Sequence, residues 1–464
     1  MPTPRACRSL LAVGFLLVIL APTRADDAGT AEERRLGRAS LLGKNYDEAI
    51  NHFNKALASN PDDVAALIDR AECWSSKGDE NRAVGDLTRA IEVEPKNAKA
   101  RVGRAEFWVE REGDRAIADL DVAIEVDPKN AKAHALRGYA RFGRDDLDLA
   151  SPDFDEAIRL GYGSEMPELF LFRGMLRLSR NDGAGAIRDV DTAIRANPDE
   201  LGLLLLRGFA RFLDKQDEQA IGDCDRYLEA RPGDPQTSLL RAVILQRAKR
   251  TAEAKQAFDA IIEQNPDDAE ALNFRASLAL TKGGCAQAIA DVERAIVSKP
   301  DEVRYMLNRG GIELVNHNYD RALADFARVV NLDPSRLTVA QRANALAFQA
   351  WIWATCPEGR FRSGSKAVES ARQACELTDW KLASPLTTLS AAYAEVGNFD
   401  QAIHFAREAA KLAPKEDSPI EFKVVRFKIS ISCCISISGP GEDRQVLPEM
   451  LGLYQKRRPY RDLR

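Results

Sequence analysis

The chain has 464 residues, a formal net charge of −5, 45% hydrophobic and 30% charged residues, eight cysteines and four histidines. A mildly acidic balance supplies no basic face for nucleic acid, and a compact fold of this length would have to divide into several cores unless it grew by stacking. Removing the three N-terminal arginines with a leader would make the chain more acidic still.

Residues 1–25 place Arg5 and Arg8 before an apolar run, Leu10 to Leu20, that ends in Thr23-Arg24-Ala25. This is the pattern of a secretory signal cleaved after Ala25. The run is well short of the roughly 20 residues a membrane-spanning helix needs, so no transmembrane anchor is expected after cleavage. Cys7 lacks a lipidation-like context.

From residue 30 onward one unit recurs. The stretch Leu201 to Pro232 holds two apolar patterns at helical spacing joined by a short polar turn, and so predicts two antiparallel helices. Pro232 ends the second, because proline lacks an N–H and disfavours helical geometry in the residue before it. Equivalent prolines stand at Pro61, Pro95, Pro128, Pro198, Pro266, Pro300, Pro334 and Pro414, mostly 33 or 34 residues apart. A small residue opens the second helix at Ala49, Ala83, Ala116, Ala150, Ala186, Ala220, Ala254, Ala288, Ala322, Ala367 and Ala402. Eleven units therefore fill the chain. Positions within a unit are numbered here so that this alanine is slot 20 and the closing proline slot 32.

Small residues at slot 8 (Gly37, Ala71, Ala105, Gly138, Gly174, Gly208, Ala242, Ala276, Gly310), alanine at slot 20 and proline at slot 32 resemble the tetratricopeptide repeat (TPR) pattern, over roughly residues 30 to 414. The resemblance implies an all-α fold, an α-solenoid (a right-handed superhelix) of about eleven TPR helix-turn-helix units. It also implies that first helices line a concave groove that binds a protein or peptide segment.

Two slots depart from an apolar packing pattern. Slot 7 is arginine in eight successive units and slot 23 is aspartate in nearly all of them, giving the pairs Arg70 with Asp86, Arg104 with Asp119, Arg137 with Asp153, Arg173 with Asp189, Arg207 with Asp223, Arg275 with Asp291, and Arg309 with Asp325. In the first unit the same slots hold Leu36 and His52, and in the last Leu389 and Phe405, so both charges come and go together; Arg241 with Ala257 is the one mismatch. The expectation is a structural ladder of ion pairs tying each first helix to its second, with pairing to the adjacent unit and an anion-binding row as alternatives.

The slots that the resemblance aims into the groove (5, 9 and 12) change character along the chain. Early units offer Ile68, Glu72, Ser75, Val102, Glu106 and Val109; the middle units offer Tyr139, Phe142, Leu171, Met175, Leu178, Leu205, Phe209 and Phe212. An apolar aromatic strip of this kind is expected to bind a partner segment, with packing between units as the bland alternative. Family members that grip chaperone C-termini carry lysine at slot 5. Here slot 5 is Ile68, Val102, Ala135, Leu171, Leu205, Leu239, Asn273 and Leu307, so that clamp is not expected.

Pro152 falls inside a second helix and should shift its start or kink it, and the Gly161 to Pro167 loop is two residues longer than usual. After Pro334 the unit stretches: Phe348 to Trp380 holds two amphipathic helices with a longer connection, and with Leu386 to Pro414 it resembles the closing module of exported bacterial TPR proteins. Trp351, Trp353 and Trp380 are expected to cap the solenoid. In the tail, Lys428 to Gly439 alternates like a strand with no sheet to receive it, and the basic end (Lys456, Arg457, Arg458, Arg461, Arg464) reads as solvated.

No constellation of residues points to chemistry. Cleavage leaves seven cysteines; Cys73 and Cys224 fill apolar slots, and Cys356 and Cys375 sit too far apart along their helices for a bridge. His52, His134, His317 and His404 lie in four separate units, without the convergence that metal or triad chemistry needs. The expected division is a signal peptide over 1–25, a solenoid of about nine regular units over 26–334, a divergent closing module over 335–414, and a tail over 415–464 that is partly ordered at most. The expected function is that of an exported scaffold or adaptor, periplasmic or extracellular, with no enzymatic activity, cofactor, metal or nucleic acid. The alternatives are a self-associating structural envelope protein and an accessory subunit that holds a lipid or glycan.

Overall fold

The computed structural model describes residues 25–281, 283–412, 422–425, 428–431 and 446–461. The expected signal segment, apart from Ala25, lies outside them. The described residues form an all-α solenoid of eleven helix pairs, from Ala25–Leu42 with Tyr46–Ser59 to Ala383–Glu395 with Phe399–Leu412. Two compact units divide the chain, residues 1–176 and 177–464; repeats 1–4 lie in the first and repeats 6–11 in the second.

Local sequence dictates each pair. In the loop after the closing proline, Asp63, Asn97, Asn130 and Asp268 each accept a hydrogen bond from the backbone N–H three residues on, capping the next first helix; such caps contribute about 1 kcal/mol. Between the two helices, slot 15 takes a left-handed backbone, at Lys44, Gly78, Asp145, Asn181, Lys215, Lys249, Gly283, His317 and Gly397. Repeat 3 has one residue fewer in this turn and makes no such residue. Second helices end two residues ahead of the closing proline, as at Ser59, Val93, Ala230 and Gln264.

Slots 8 and 24 pack as a matched pair. At Phe53, Phe154 and Phe326 the facing slot 8 is glycine, and a Cβ on Gly37, Gly138 or Gly310 would lie 2.7–2.8 Å from the ring; in repeat 7 Phe258 stands opposite Ala242. Where slot 24 is smaller there is room: a Cβ on Gly208 would meet Cys224 Sγ at 3.6 Å and nothing nearer than 3.4 Å. In those three repeats the ring thus takes the space that a slot 8 side chain would fill.

The helix that contains Pro152, Leu147–Arg159, begins at the same slot as its counterparts. The long loop after it folds as a 3-10 turn, Tyr162–Ser164. Part of the alternating tail does find a strand partner: Phe422–Val425 pairs antiparallel with Lys428–Ile431, Phe422 opposite Ile431. Residues 432–445 lie outside the described set. Of the basic end, Lys456, Arg457 and Arg458 are exposed as expected, Arg461 pairs with Glu395 instead, and Arg464 lies outside the described residues.

Candidate functional site

The slot 7 arginines lie between two second helices. Arg70 Nε and Nη2 donate to both carboxylate oxygens of Asp86 at 2.8 and 2.6 Å, and Arg104, Arg137, Arg207, Arg275 and Arg309 repeat the fork on Asp119, Asp153, Asp223, Asp291 and Asp325. The aspartate side chains are 1–11% exposed. The third guanidinium nitrogen reaches back to slot 25 of the preceding repeat: Arg70 to Asn54 at 2.7 Å, Arg137 to Asp121 at 2.7 Å, Arg173 to Asp155 at 2.9 Å, Arg207 to Asp191 at 2.9 Å and Arg275 to Asp259 at 2.7 Å. Arg70, Arg137, Arg207 and Arg275 therefore tie their own pair together and tie that pair to the one before, whereas Arg309 makes the fork alone. Opposed carboxylates hold the Arg207, Arg275 and Arg309 guanidiniums further above their ordinary range, hydrogen bonding outweighing desolvation.

Slot 25 resolves the mismatch at Arg241. With Ala257 at slot 23, Arg241 Nε donates to Asp225 of the preceding repeat. Sequence reading overlooked slot 25, although it is aspartate in five successive repeats, at Asp121, Asp155, Asp191, Asp225 and Asp259. It also missed slot 11, where Arg141 and Arg211 supply a second cation to Asp153 and Asp223 at 2.7 and 2.6 Å and Arg177 bonds Asp189 at 2.7 Å. Saturated on both sides, these arginines offer no row of free cations to an anion.

The apolar strip divides by burial. Met175, Leu178, Phe209 and Phe212 are 6, 4, 0 and 0% exposed, and the Arg247 guanidinium lies 3.5 Å over the Phe212 ring while it pairs with Asp217. These four are interior side chains and cannot present a surface to a partner, which corrects the groove expected there. Leu171 and Leu205 are half-buried.

Tyr139 and Phe142 differ. Both are half-buried, as Leu171 and Leu205 are, and belong to a four-ring cluster in repeats 4 and 5: Tyr139 is edge-on to Phe172 at 5.2 Å, and Phe142 lies 5.4 Å from Phe172 and 6.4 Å from Phe154. Around them the first helix of repeat 3, Ala98–Trp108, and the residues just after it present exposed Glu106 and Glu110. Lys132 pairs with Glu106, and the Tyr139 hydroxyl is 3.5 Å from Glu110. Glu72, at slot 9 of repeat 2, is exposed. Two rings anchored from below and acidic groups beside them form a surface suited to an apolar side chain with a cationic flank.

Slot 5 is apolar except at Asn273 and mostly interior, with Ile68, Val102, Ala135, Asn273 and Leu307 buried. Among the described residues no group of three His, Cys, Asp or Glu side chains converges to hold a metal, and no helix is long and apolar enough to cross a membrane. The histidines make separate local contacts: His52 with Glu33 at 2.6 Å, His134 with the Pro128 carbonyl at 3.0 Å, and His317 with the Tyr319 hydroxyl at 3.1 Å. Cys356 and Cys375 are free thiols.

Family models described as tetratricopeptide repeat match residues 173–235 and 275–336, residues 41–85 and 215–278, and residues 383–416, together about half of the chain. The chain belongs to the tetratricopeptide repeat family. TPR modules generally mediate contacts between proteins. Hsp70-Hsp90 organizing protein 3 of Arabidopsis thaliana is 33% identical over 81 residues, 17% of this chain and 14% of that protein. Tetratricopeptide repeat protein 13 of Homo sapiens is 26% identical over 183 residues, 38% of this chain and 21% of that one. The matches thus span 14–21% of the length of these relatives. Among solved structures, yeast Tom70 is similar with a TM-score of 0.41 and 17% identity, over 83% of this chain and 85% of that one. Pseudomonas aeruginosa pilF gives 0.39 and 17%, over 49% and 99%.

Proposed function

We propose that this TPR protein is an exported scaffold that holds a segment of a partner protein on the first-helix face of repeats 3 and 4, outside the cytoplasm. The observation that carries the reading is the ring pair Tyr139 and Phe142, only half-buried, fixed from below by Phe154 and Phe172 and flanked by the exposed Glu106 and Glu110. Rigid aromatic anchors lose little entropy on binding and are the usual centres of interface energy. Export rests on the charged start, the apolar run and the small-residue pattern of residues 1–25. Chaperone-tail docking, which the names of some relatives bring to mind, is not carried over, because slot 5 holds no lysine to meet a terminal carboxylate.

A photo-crosslinking amino acid at position 139, compared with one at Leu149, a 54% exposed position on a second helix, tests the face in the native envelope fraction. A protein adduct formed from position 139 and not from 149 is the expected result. Identical adducts from both positions, or none, would refute it. Intact mass of the purified chain tests export: the mature protein should begin at Asp26, and a chain that retains residues 1–25 removes that part of the reading.

A further inference from the structure

The C-terminal segment docks on the closing repeats in the manner of a bound peptide. In the helix Val446–Gln455, Leu447, Met450 and Tyr454 are 3, 0 and 0% exposed, a spacing of i, i+3 and i+7 that lays one apolar stripe into a groove. The stripe joins the core made by the last helix pair, Ala383–Glu395 and Phe399–Leu412. Beyond the helix the chain runs back to repeat 10. Tyr460 is 4% exposed and its ring centre lies 5.9 Å from that of Trp351. Arg461 Nη2 meets Glu395 Oε2 at 2.6 Å, and Glu395 Oε1 is held by Arg362 Nε at 3.3 Å.

This interface has the parts of a recognition site, an apolar groove for a short helix and an aromatic slot beside a fixed carboxylate. The residues that fill it belong to a segment separated from the repeats by the whole stretch 413–445. We propose that the end face of repeats 10 and 11 is a second protein-docking site. It accepts a helical segment with apolar residues at i, i+3 and i+7 followed by a tyrosine–arginine pair, and the chain's own residues 446–461 occupy it as a resident ligand that a partner of the same chemistry displaces. The site goes beyond the face on repeats 3 and 4 and is separable from it, since Tyr139→Ser leaves repeats 10 and 11 untouched.

Glu395 is the residue to test, because the tail's arginine and the site's own Arg362 converge on it. A fluorescent peptide of residues 446–464 is titrated into full-length protein by anisotropy. Wild type should bind it weakly, since the tethered copy competes at high effective concentration. The full chain carrying Leu447→Asp, Met450→Asp, Tyr460→Ala and Arg461→Glu, which empties both the groove and the aromatic slot, should bind it at least tenfold more tightly. Glu395→Arg should abolish binding of the wild-type peptide and restore binding of a peptide that carries Arg461→Glu, a rescue that a misfolded variant could not show. Equal binding by wild type and the tail variant, or no binding by a tail variant with native circular dichroism, would overturn the proposal. A wild-type dimer that dissociates with Glu395→Arg would assign the site to a second copy of this chain and likewise overturn displacement by a foreign partner. Loss of crosslinking at position 139 with peptide binding retained would refute the repeat 3 and 4 face alone.

Discussion

Arg309 with Asp325 is the simplest rung of the ladder and the best place to measure it. Two parallel bonds, 2.9 and 2.7 Å, join the guanidinium to a carboxylate whose side chain is 7% exposed, and no second arginine is supplied from slot 11, where Glu313 stands. Arg309→Leu leaves Asp325 buried without its cation, with Glu313 also buried nearby. Removing one member of a buried pair costs about 3–5 kcal/mol, whereas replacing both members by apolar groups is often neutral or stabilising. The chain already contains the apolar alternative in its last repeat, as Leu389 and Phe405, so the double variant Arg309→Leu, Asp325→Phe should recover most of the loss. Eleven repeats need not unfold together. Amide exchange of the second helix Tyr319–Val330 is therefore the appropriate assay. At 1.4 kcal/mol per tenfold, a loss of about 3 kcal/mol is on the order of a hundredfold faster exchange there. A single variant that accelerates exchange by less than about fivefold, or a double variant as fast as the single, would refute the account of a buried, coupled pair.

Other outcomes follow from the packing. Gly208→Ala should stabilise repeat 6 by about 0.5–1 kcal/mol, since a methyl fits and helix entropy is gained; Gly138→Ala, with Phe154 2.7 Å away, should destabilise repeat 4 by about 1–3 kcal/mol, and opposite shifts in local amide exchange would check both. Lys249 holds a left-handed backbone, so Lys249→Gly should raise the melting temperature of the second unit slightly, the relieved strain of about 1–2 kcal/mol exceeding glycine's added entropy cost of roughly 0.5–1 kcal/mol. Burial pushes the Cys73 thiol up to about 11 and those of Cys224 and Cys375 up to about 12. Folded protein at pH 8 should therefore leave all three unmodified by iodoacetamide, with labelling appearing only on unfolding. Because these shifts raise the folded value, the stability they contribute is full below the ordinary thiol range near pH 9 and is lost as pH rises toward 11–12; a melting temperature that held steady through that window would count against buried thiols.

The repeat was legible because its determinants are local. Caps at Asp63 and Asn97, the alanine at slot 20 and the proline at slot 32 act within one helix or one turn, and each recurs at a fixed spacing that a single sequence displays. The arginine–aspartate pairing was visible for a related reason: a pair that appears and disappears together in successive copies is a comparison contained in one chain. Slot 25 was overlooked although Asp121, Asp155, Asp191, Asp225 and Asp259 recur there in successive repeats, because the arginine each one meets belongs to the next repeat and not to its own.

What sequence could not decide was exposure. Phe209 and Tyr139 occupy the same slot, and composition gives both the same apolar value, yet one is sealed and the other stands at a rim. Solvent access is set by every helix that surrounds a position, and that is a property of the packed array. The same holds for the tail: basic residues after an alternating segment look solvated until Glu395 and Trp351, 66 and 109 positions earlier than their partners Arg461 and Tyr460, are brought beside them. The sequence by itself determined that this chain folds as eleven helix pairs tied by buried charges, because those interactions are short-range and periodic. Only the tertiary structure decided which surfaces remain for a partner, because burial depends on neighbours that the chain's order does not reveal.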